Sequence, residues 1–169
     1  MILALTVIVV LLVAIAMALA LAHALEWPGK MRLTQEQYLA VQPIYYPGFT
    51  FGGIAEPIGI LALLILVVLT PTDTTAFWLM VYALVALVAM HAAYWLMTHP
   101  VNNFWLKDVP LKGAGAGFFA SDPLRQGTAS GQSEWKTLRD RWEFSHVVRA
   151  VLGLISLTLL VAAIAWPFD

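Results

Sequence analysis

Residues 2–25 read ILALTVIVVLLVAIAMALALAHAL and contain no Asp, Glu, Lys or Arg. A helix needs about 20 mainly apolar residues to cross the hydrocarbon core of a bilayer. The stretch therefore predicts a transmembrane helix. It exceeds the roughly 7–15 apolar residues of a secretory signal, and no basic segment precedes it, so we expect a span that is retained.

Three further apolar stretches predict spans, at about residues 49–70, 76–98 and 143–168. Of the 169 residues, 61% are hydrophobic and only 11% are charged, against roughly 25% in soluble domains. The prediction is an all-α membrane protein, an antiparallel four-transmembrane-helix bundle formed by residues 1–169, with a long cytoplasmic loop at 99–142. Residues 134–149 read as a helix leading into the fourth span. Thr34 and Gln37 form a capping-box pattern, which predicts a short amphipathic helix near 35–41 in the first cytoplasmic loop.

The basic residues indicate an orientation. Lys and Arg occur in the loops at 26–48 and 99–146 but are absent from the connection at 71–75. The positive-inside rule places both long loops in the cytoplasm and both termini outside it, and we expect a bacterial inner membrane. The expected partners are the lipid bilayer, a hydrophobic small molecule, and a membrane protein partner or a second copy. The net charge of −1 suggests no nucleic-acid surface.

Ionisable residues in or near the spans gather at one end of the predicted bundle. In an antiparallel order, the ends of the first and third helices and the starts of the second and fourth face the same side. Because charged groups are costly within a membrane, each is a functional candidate. These positions hold His23, Glu26, Glu56, His91, His99, Glu143, His146 and Arg149.

Six of these residues could ligate a metal. His23 and Glu26 are three residues apart, as are Glu143 and His146, so each pair shares one helical face. Glu-x-x-His patterns hold iron in carboxylate bundles, and a non-haem metal, iron or copper, is one option. The metal candidates are His23, Glu26, Glu56, His91, Glu143 and His146. Since Glu56 and His91 lie deeper than the others, a subset is favoured unless a helix tilts or kinks at Pro57. Haem between His91 and His23 or His146 ranks lower, because no two histidines match in depth.

Each candidate also has a structural interpretation. Glu56 with Arg149 or His91 could form a buried pair that fastens helices together, and the other four could be solvated helix ends or salt bridges to Lys30, Arg139 or Arg141. His99, before Pro100, reads as a loop residue. The aromatic residues expected as anchors at the membrane interface are Trp27, Tyr38, Tyr45, Tyr46, Trp95, Trp105, Trp135 and Trp142.

Four segments resemble a known family. They are LEWPGKMRL at 25–33, VQPIYY at 41–46, HPVNN at 99–103 and WKTLRDRWEFSHVVR at 135–149. Over nearly the whole chain, the sequence is similar to the anthrone oxygenase-like family of small four-helix membrane proteins. The resemblance implies that fold and, for a few members, oxygenation of polyketide anthrones. The matching positions are Pro100, Asn102, Trp142, His146 and Arg149. A Gly/Ala-rich insert at 113–133 departs from the family, and Glu56 and His91 are not tied to its motif.

Two functions remain open from the sequence. The first is a membrane-embedded oxidoreductase or oxygenase acting on a hydrophobic, potentially aromatic substrate. Its base would be Glu26, Glu143 or His146, and Asn102 and Arg149 would stabilise the resulting anion. The second is a non-catalytic accessory subunit of a larger membrane complex, in which the same cluster holds the helices together. Neither the cofactor nor the substrate follows from the sequence.

Overall fold

The computed structural model describes residues 2–105 and 135–166, with all their side chains except those of residues 103 and 104. Within these ranges the chain is helical and contains no strand, as predicted. The described α-helices are α1 (Ile2–Lys30), α2 (Gln35–Val41), α3 (Gly48–Gly53), α4 (Ala55–Val68), α5 (Thr75–Ala93), α6 (His99–Trp105) and α7 (Trp135–Ala165). A 3₁₀ turn, Gln42–Tyr45, follows α2, and a π-helical turn, Tyr94–Thr98, joins α5 to α6.

Four segments are long and apolar enough to cross a membrane, namely Ile2–Lys30, Gly48–Val68, Thr75–Asn102 and Trp135–Ala165. The chain is therefore an integral multi-pass membrane protein of four spans. The first span runs five residues beyond the predicted end at Leu25, because its helix continues through Pro28 to Lys30. This extension brings Lys30 into the bundle, where it is buried.

Local sequence explains where two helices start. The Thr34 side chain accepts a hydrogen bond from the Gln37 backbone N–H at 3.3 Å, and the Gln37 side chain accepts one from the Thr34 backbone at 3.0 Å. This reciprocal pair is the capping box predicted for α2. At the start of α5, the Thr74 hydroxyl accepts from the Phe77 N–H at 3.2 Å.

The second span is broken at Ile54, between α3 and α4. Pro57 has no N–H to donate to the carbonyl four residues earlier, and its ring crowds that carbonyl, which belongs to Gly53. The helix therefore restarts at Ala55, one residue before Glu56. The sequence allowed a kink at Pro57. The observed break lies three residues earlier, at Ile54, in the helical turn that the proline disrupts.

The third span extends past the predicted loop boundary at residue 99. His99 is helical and only 1% exposed, so its interpretation as a loop residue was wrong. Pro100 cannot donate a hydrogen bond to the carbonyl of Leu96, and Arg141 donates to that oxygen instead at 2.6 Å. Residues 135–142 form the start of α7, which agrees with the helix predicted at 134–149 and shortens the loop assigned to 99–142. The insert at 113–133 lies outside the described residues.

The longest helix, α7, packs most extensively against α5 and α1. It approaches α1 closely at Gly153, where an added Cβ would lie 3.0 Å from Met17 Cβ and 3.1 Å from Met17 Cα. Against α5, the Ser156 hydroxyl donates to the Ala83 carbonyl at 2.8 Å. Apart from Ser156, the buried polar residues of the described part all lie at the other end of the bundle, around the Lys30 end of α1.

Candidate functional site

A cavity of about 520 Å³ lies at this polar end, enclosed by the four spans and the 3₁₀ turn. Its volume falls within the range of roughly 300–1,000 Å³ that is typical of small-molecule sites. Most of the lining is apolar or aromatic. The polar and aromatic side chains that line it include His23, Gln42, Tyr45, Phe49, Glu56, His91, Tyr94, Trp95, Asn102, Trp142, His146 and Arg149.

Glu56 forms two polar contacts inside the bundle, one with each oxygen of its carboxylate. One carboxylate oxygen accepts from Arg149 Nη2 at 2.7 Å, and the other contacts His91 Nδ1 at 2.9 Å. Glu56 is 3% exposed and Arg149 is 9% exposed, so the pair is largely removed from water. The contact joins α4, α5 and α7, and it contains both pairings that the sequence offered for Glu56.

The proton position on His91 follows from its two neighbours. Trp95 Nε1 lies 3.0 Å from His91 Nε2, and an indole N–H can only donate. His91 Nε2 is therefore the acceptor nitrogen, and Nδ1 carries the proton that it donates to Glu56. Trp95 lies in the π-helical turn, a type of irregularity that is frequent at functional sites.

In His146 the proton lies on the other ring nitrogen. Its Nδ1 lies 3.5 Å from Arg149 Nη1, and a guanidinium has only donors, so Nδ1 is the acceptor and the proton lies on Nε2. Among the described residues, His146 Nε2 has no hydrogen-bond partner, and neither does Arg149 Nε. Gln42 Nε2, which is also buried at the cavity, has no partner in the described part of the chain either. Buried N–H donors without an acceptor are rare, and these call for an explanation.

An aromatic wall surrounds the two histidines of α1 and α7. The rings of His23 and His146 stack with centroids 4.0 Å apart and planes tilted by 27°. Trp142 packs edge-on against both, at 5.0 Å from His23 and 4.3 Å from His146. Tyr45 and Phe49 complete the wall around His23, at 4.4 and 4.6 Å. The indole N–H of Trp142 donates to Asn102 Oδ1 at 2.9 Å, which fixes the ring.

Behind this wall lies a second group, which we call the lysine cluster: Glu26, Lys30, Tyr38, Tyr45 and Glu143. Lys30 Nζ lies 2.9 Å from Glu26 and 3.6 Å from Glu143. The Tyr38 hydroxyl donates to Glu143 at 2.7 Å, and the Tyr45 hydroxyl donates to Glu26 at 2.6 Å. Burial, reinforced by these carboxylates, raises the pKa of both tyrosines above their usual range, so they remain protonated donors.

The structure brings six of the predicted site residues to the cavity wall, namely His23, Glu56, His91, Asn102, His146 and Arg149. Glu26 and Glu143 are outside the lining residues and contact Lys30 instead. Sequence reasoning did not assign a site role to Lys30 or Trp95. Two signals could have found them, since Lys30 is four residues after Glu26 and Trp95 is four residues after His91, which places each pair on one helical face.

Several aromatic residues predicted as interface anchors are buried instead. Trp105, Trp135 and Trp142 are 4–8% exposed, and Tyr38 is fully buried. Tyr38, Trp105 and Trp135 pack together with Val101 in a cluster at the polar end. Trp95, Trp105 and Trp142 line the cavity. These side chains pack between helices because α6, in place of the expected loop, and the start of α7 cover them.

The six metal candidates do not fit one metal centre in the described part of the chain. No group of three or more His, Asp or Glu side chains is placed to hold an ion there. Lys30 lies between Glu26 and Glu143, and Arg149 holds Glu56. Cationic side chains thus occupy the positions at which a metal would meet these carboxylates. The predicted metal set therefore separates into two ion-paired groups.

A haem between His91 and either His23 or His146 does not fit the observed rings, because both ring nitrogens of His91 are hydrogen-bonded, Nδ1 to Glu56 and Nε2 to Trp95. A haem between His23 and His146 does not fit either. His23 and His146 do lie at matched depth on facing helices, contrary to the expectation used to rank haem low. However, their rings stack face to face at 4.0 Å, which leaves no space for a macrocycle between them. The two imidazoles therefore belong to the aromatic wall in this arrangement.

Residues 42–159 match the family model described as anthrone oxygenase. This range is well over half of the 169 residues. The chain belongs to the anthrone oxygenase family. The match includes Glu56, His91, Trp95, His146 and Arg149, and therefore the two residues that the sequence motifs had not tied to the family. The part of the cavity wall formed by α1, with His23, lies outside the matched range. Comparison with curated proteins and with solved structures gives no match.

Proposed function

We propose that this anthrone oxygenase family member is a membrane-embedded oxygenase that uses dioxygen to oxidise a hydrophobic aromatic substrate in the cavity. One observation carries the proposal: the same cavity is lined by His91, whose Nε2 is an acceptor, and by His146 and Arg149, each with a buried N–H donor that has no partner among the described residues. A proton acceptor together with anion-stabilising donors is what removal of a proton from an activated C–H or O–H group requires.

The lining suits an apolar, planar substrate. Phe49, Trp95 and Trp142 present aromatic surface, against which aromatic rings stack or pack edge-on. Phe51 and Ile54 also line the cavity, and they are 56% and 49% exposed on the outside of the bundle. Since the outside of a span faces lipid, a hydrophobic substrate can reach the cavity from the bilayer.

His91 is the proton acceptor of the proposal. Its Nδ1–H is held by Glu56 at 2.9 Å, so the carboxylate orients the ring and stabilises the imidazolium that forms, as in other carboxylate and histidine pairs. The substrate takes the place of the Trp95 indole N–H at Nε2. Of the three bases that the sequence offered, Glu26 and Glu143 contact Lys30 behind the wall. The third, His146, is a donor in the proposal, because its Nδ1 already accepts from Arg149.

Arg149 and His146 would stabilise the substrate anion. The guanidinium is a permanent cation, and its Nε joins His146 Nε2 as a buried donor without a partner in the described chain. Asn102, which was also expected to stabilise the anion, holds Trp142 through its Oδ1. Its role in the proposal is to position the aromatic wall.

The overall reaction balances without a further reductant. A substrate CH₂ group loses its two hydrogens and becomes a carbonyl, one oxygen atom of O₂ enters the product, and the other leaves as water with those two hydrogens. His91 takes the first proton from the CH₂ group, and the resulting anion supplies the electrons that reduce O₂. The protein itself neither gains nor loses electrons over the cycle.

The test is oxygen consumption and quinone formation with anthrone, on protein purified in mild detergent. We expect wild type to turn over above the uncatalysed rate, His91→Gln to lose about 100-fold or more, in line with typical general-base contributions of about 10²–10⁴, and Ser156→Ala, remote from the cavity, to match wild type. Equal rates in wild type and His91→Gln would contradict the assignment.

The alternative function is that of a non-catalytic accessory subunit, and one observation favours it. Glu56 ties together α4, α5 and α7 through His91 and Arg149, which is what a purely structural cluster would do. In that case the purified chain has no oxygen-consuming activity with anthrone and co-purifies with another membrane protein in fixed ratio.

A further inference from the structure

Lys30 is a buried cation whose position the proposed function does not yet explain. It is 5% exposed at the end of α1 and contacts Glu143, which is fully buried. Burying such charges carries a desolvation cost that ion pairing often fails to recover, so packed apolar residues would be about as stable. The contacts of Lys30 therefore explain its position better than a gain in stability does.

The neighbours of Lys30 are residues of the cavity wall. Its Nζ lies 3.4 Å from His23 Nδ1, and it sits over the rings of Tyr45 and Trp142 at 4.7 and 4.9 Å. All three of these residues line the cavity. Lys30 is therefore placed directly behind the aromatic wall, on its side away from the substrate.

Lys30 also separates His23 from a carboxylate. His23 Nδ1 lies 4.0 Å from Glu26 Oε2, and Lys30 Nζ contacts the same oxygen at 2.9 Å. An ammonium has only donors, so it makes Nδ1 the acceptor nitrogen of His23 and leaves the ring proton on Nε2. Without Lys30, the adjacent Glu26 carboxylate, which has only acceptors, would favour a ring proton on Nδ1.

We propose that Lys30 is a positioning residue that fixes the proton of the neutral His23 ring on Nε2, so that the ring serves as a further N–H donor of the cavity. The inference rests on the proposed function and deepens it. His23 and His146 stack as two neutral rings, each with a cation at Nδ1, Lys30 for one and Arg149 for the other. A cavity equipped with these donors selects a ligand that presents an anionic oxygen, such as a phenolate or enolate.

Every charged or titratable group that faces His23 in the described structure enters the test. These groups are Lys30, Glu26, Tyr45, His146 and Arg149. The measurement is ¹⁵N NMR of histidine-labelled protein in detergent near neutral pH, without substrate. The chain has four histidines, so each resonance pair can be assigned by replacing one histidine at a time.

Wild type is expected to show His23 as a neutral ring protonated at Nε2. In Lys30→Met, the Nδ1 resonance of His23 is expected to shift to that of a protonated nitrogen, because Glu26 becomes its neighbour. Adding Glu26→Gln should remove this preference for a proton on Nδ1. Lys30→Arg keeps a cation at the position and should leave His23 as in wild type, and Arg32→Met, at an exposed cation two residues away, should change nothing.

A His23 that is protonated at Nδ1 in wild type would overturn the inference, and this result does not depend on whether any variant folds. An unchanged His23 in folded Lys30→Met would overturn it as well. Because the spectra are taken without substrate, failure of anthrone turnover leaves these outcomes intact. Loss of the proposed function and loss of this inference can therefore be told apart.

Discussion

At the residue scale, the site depends on which nitrogen of each histidine carries the proton. The neighbours decide this, since Trp95 donates to His91, Arg149 donates to His146 and Lys30 donates to His23. Histidine thus serves as a hydrogen-bond acceptor at one part of the cavity wall, through His91, and as a donor at another, through His23 and His146. The acidic residue that organises the acceptor part is Glu56, which bonds both His91 and Arg149.

The Glu56–Arg149 pair predicts an asymmetric effect on stability. Glu56→Gln should lower the free energy of unfolding by about 3–5 kcal/mol, because it leaves the Arg149 guanidinium buried without its carboxylate. The double variant Glu56→Gln, Arg149→Met should lose less than this, since no unpaired charge remains. Thermal unfolding in detergent measures both, and additive losses in the two single variants and the double variant would show that the pair is not coupled.

Residue contacts of this kind were only partly predictable from the sequence. The helix pattern placed Glu56, His91 and Arg149 at one end of the bundle, and both observed pairings of Glu56 were among the alternatives. The contact of Tyr38 with Glu143 joins residues 105 positions apart, and no local pattern encodes it. The role of Lys30 was missed because Pro28 and Gly29 read as a loop, whereas α1 continues to Lys30.

At the scale of helices, the irregular turns lie where the cavity is. The break at Ile54 precedes Glu56, and the π-helical turn contains Trp95. Proline explains the first by removing a hydrogen-bond donor. The second is followed by Pro100, and Arg141 donates to the carbonyl of Leu96 that Pro100 cannot reach. Pro57 alone is enough to predict the break in the second span. The continuation of the third span into α6 could not be predicted in this way, because it depends on the contact of Arg141 in α7 with the Leu96 carbonyl.

Close helix packing predicts a specific effect at Gly153. A methyl group there would lie 3.0–3.1 Å from Met17 Cβ and Cα, so α1 and α7 must move apart to accept it. Gly153→Val should destabilise the protein by about 1–3 kcal/mol, the usual cost of overpacking. Gly48→Ala is the matched control, because an added Cβ at Gly48 meets nothing within 4 Å. Thermal unfolding with equal midpoints for Gly153→Val and wild type would contradict the close approach.

At the scale of the whole molecule, the bundle has one apolar end and one polar end. The sidedness of the ionisable residues in the sequence was enough to predict this, because an antiparallel order of four spans brings their polar ends together. What the sequence could not predict is how each helix is rotated. Rotation stacks His23 on His146 and turns Glu26 and Glu143 away from the cavity, and it depends on packing among side chains from all four spans.

The most direct test of the central claim is the absorption spectrum of anthrone bound to the protein without oxygen. Removing oxygen stops the reaction after proton transfer, so the spectrum reports only what the cavity does to the substrate. We predict that wild type binds anthrone as its anion, and that His91→Gln binds it in the neutral form. Neutral anthrone bound to wild type, or the same anion in His91→Gln, would contradict the account.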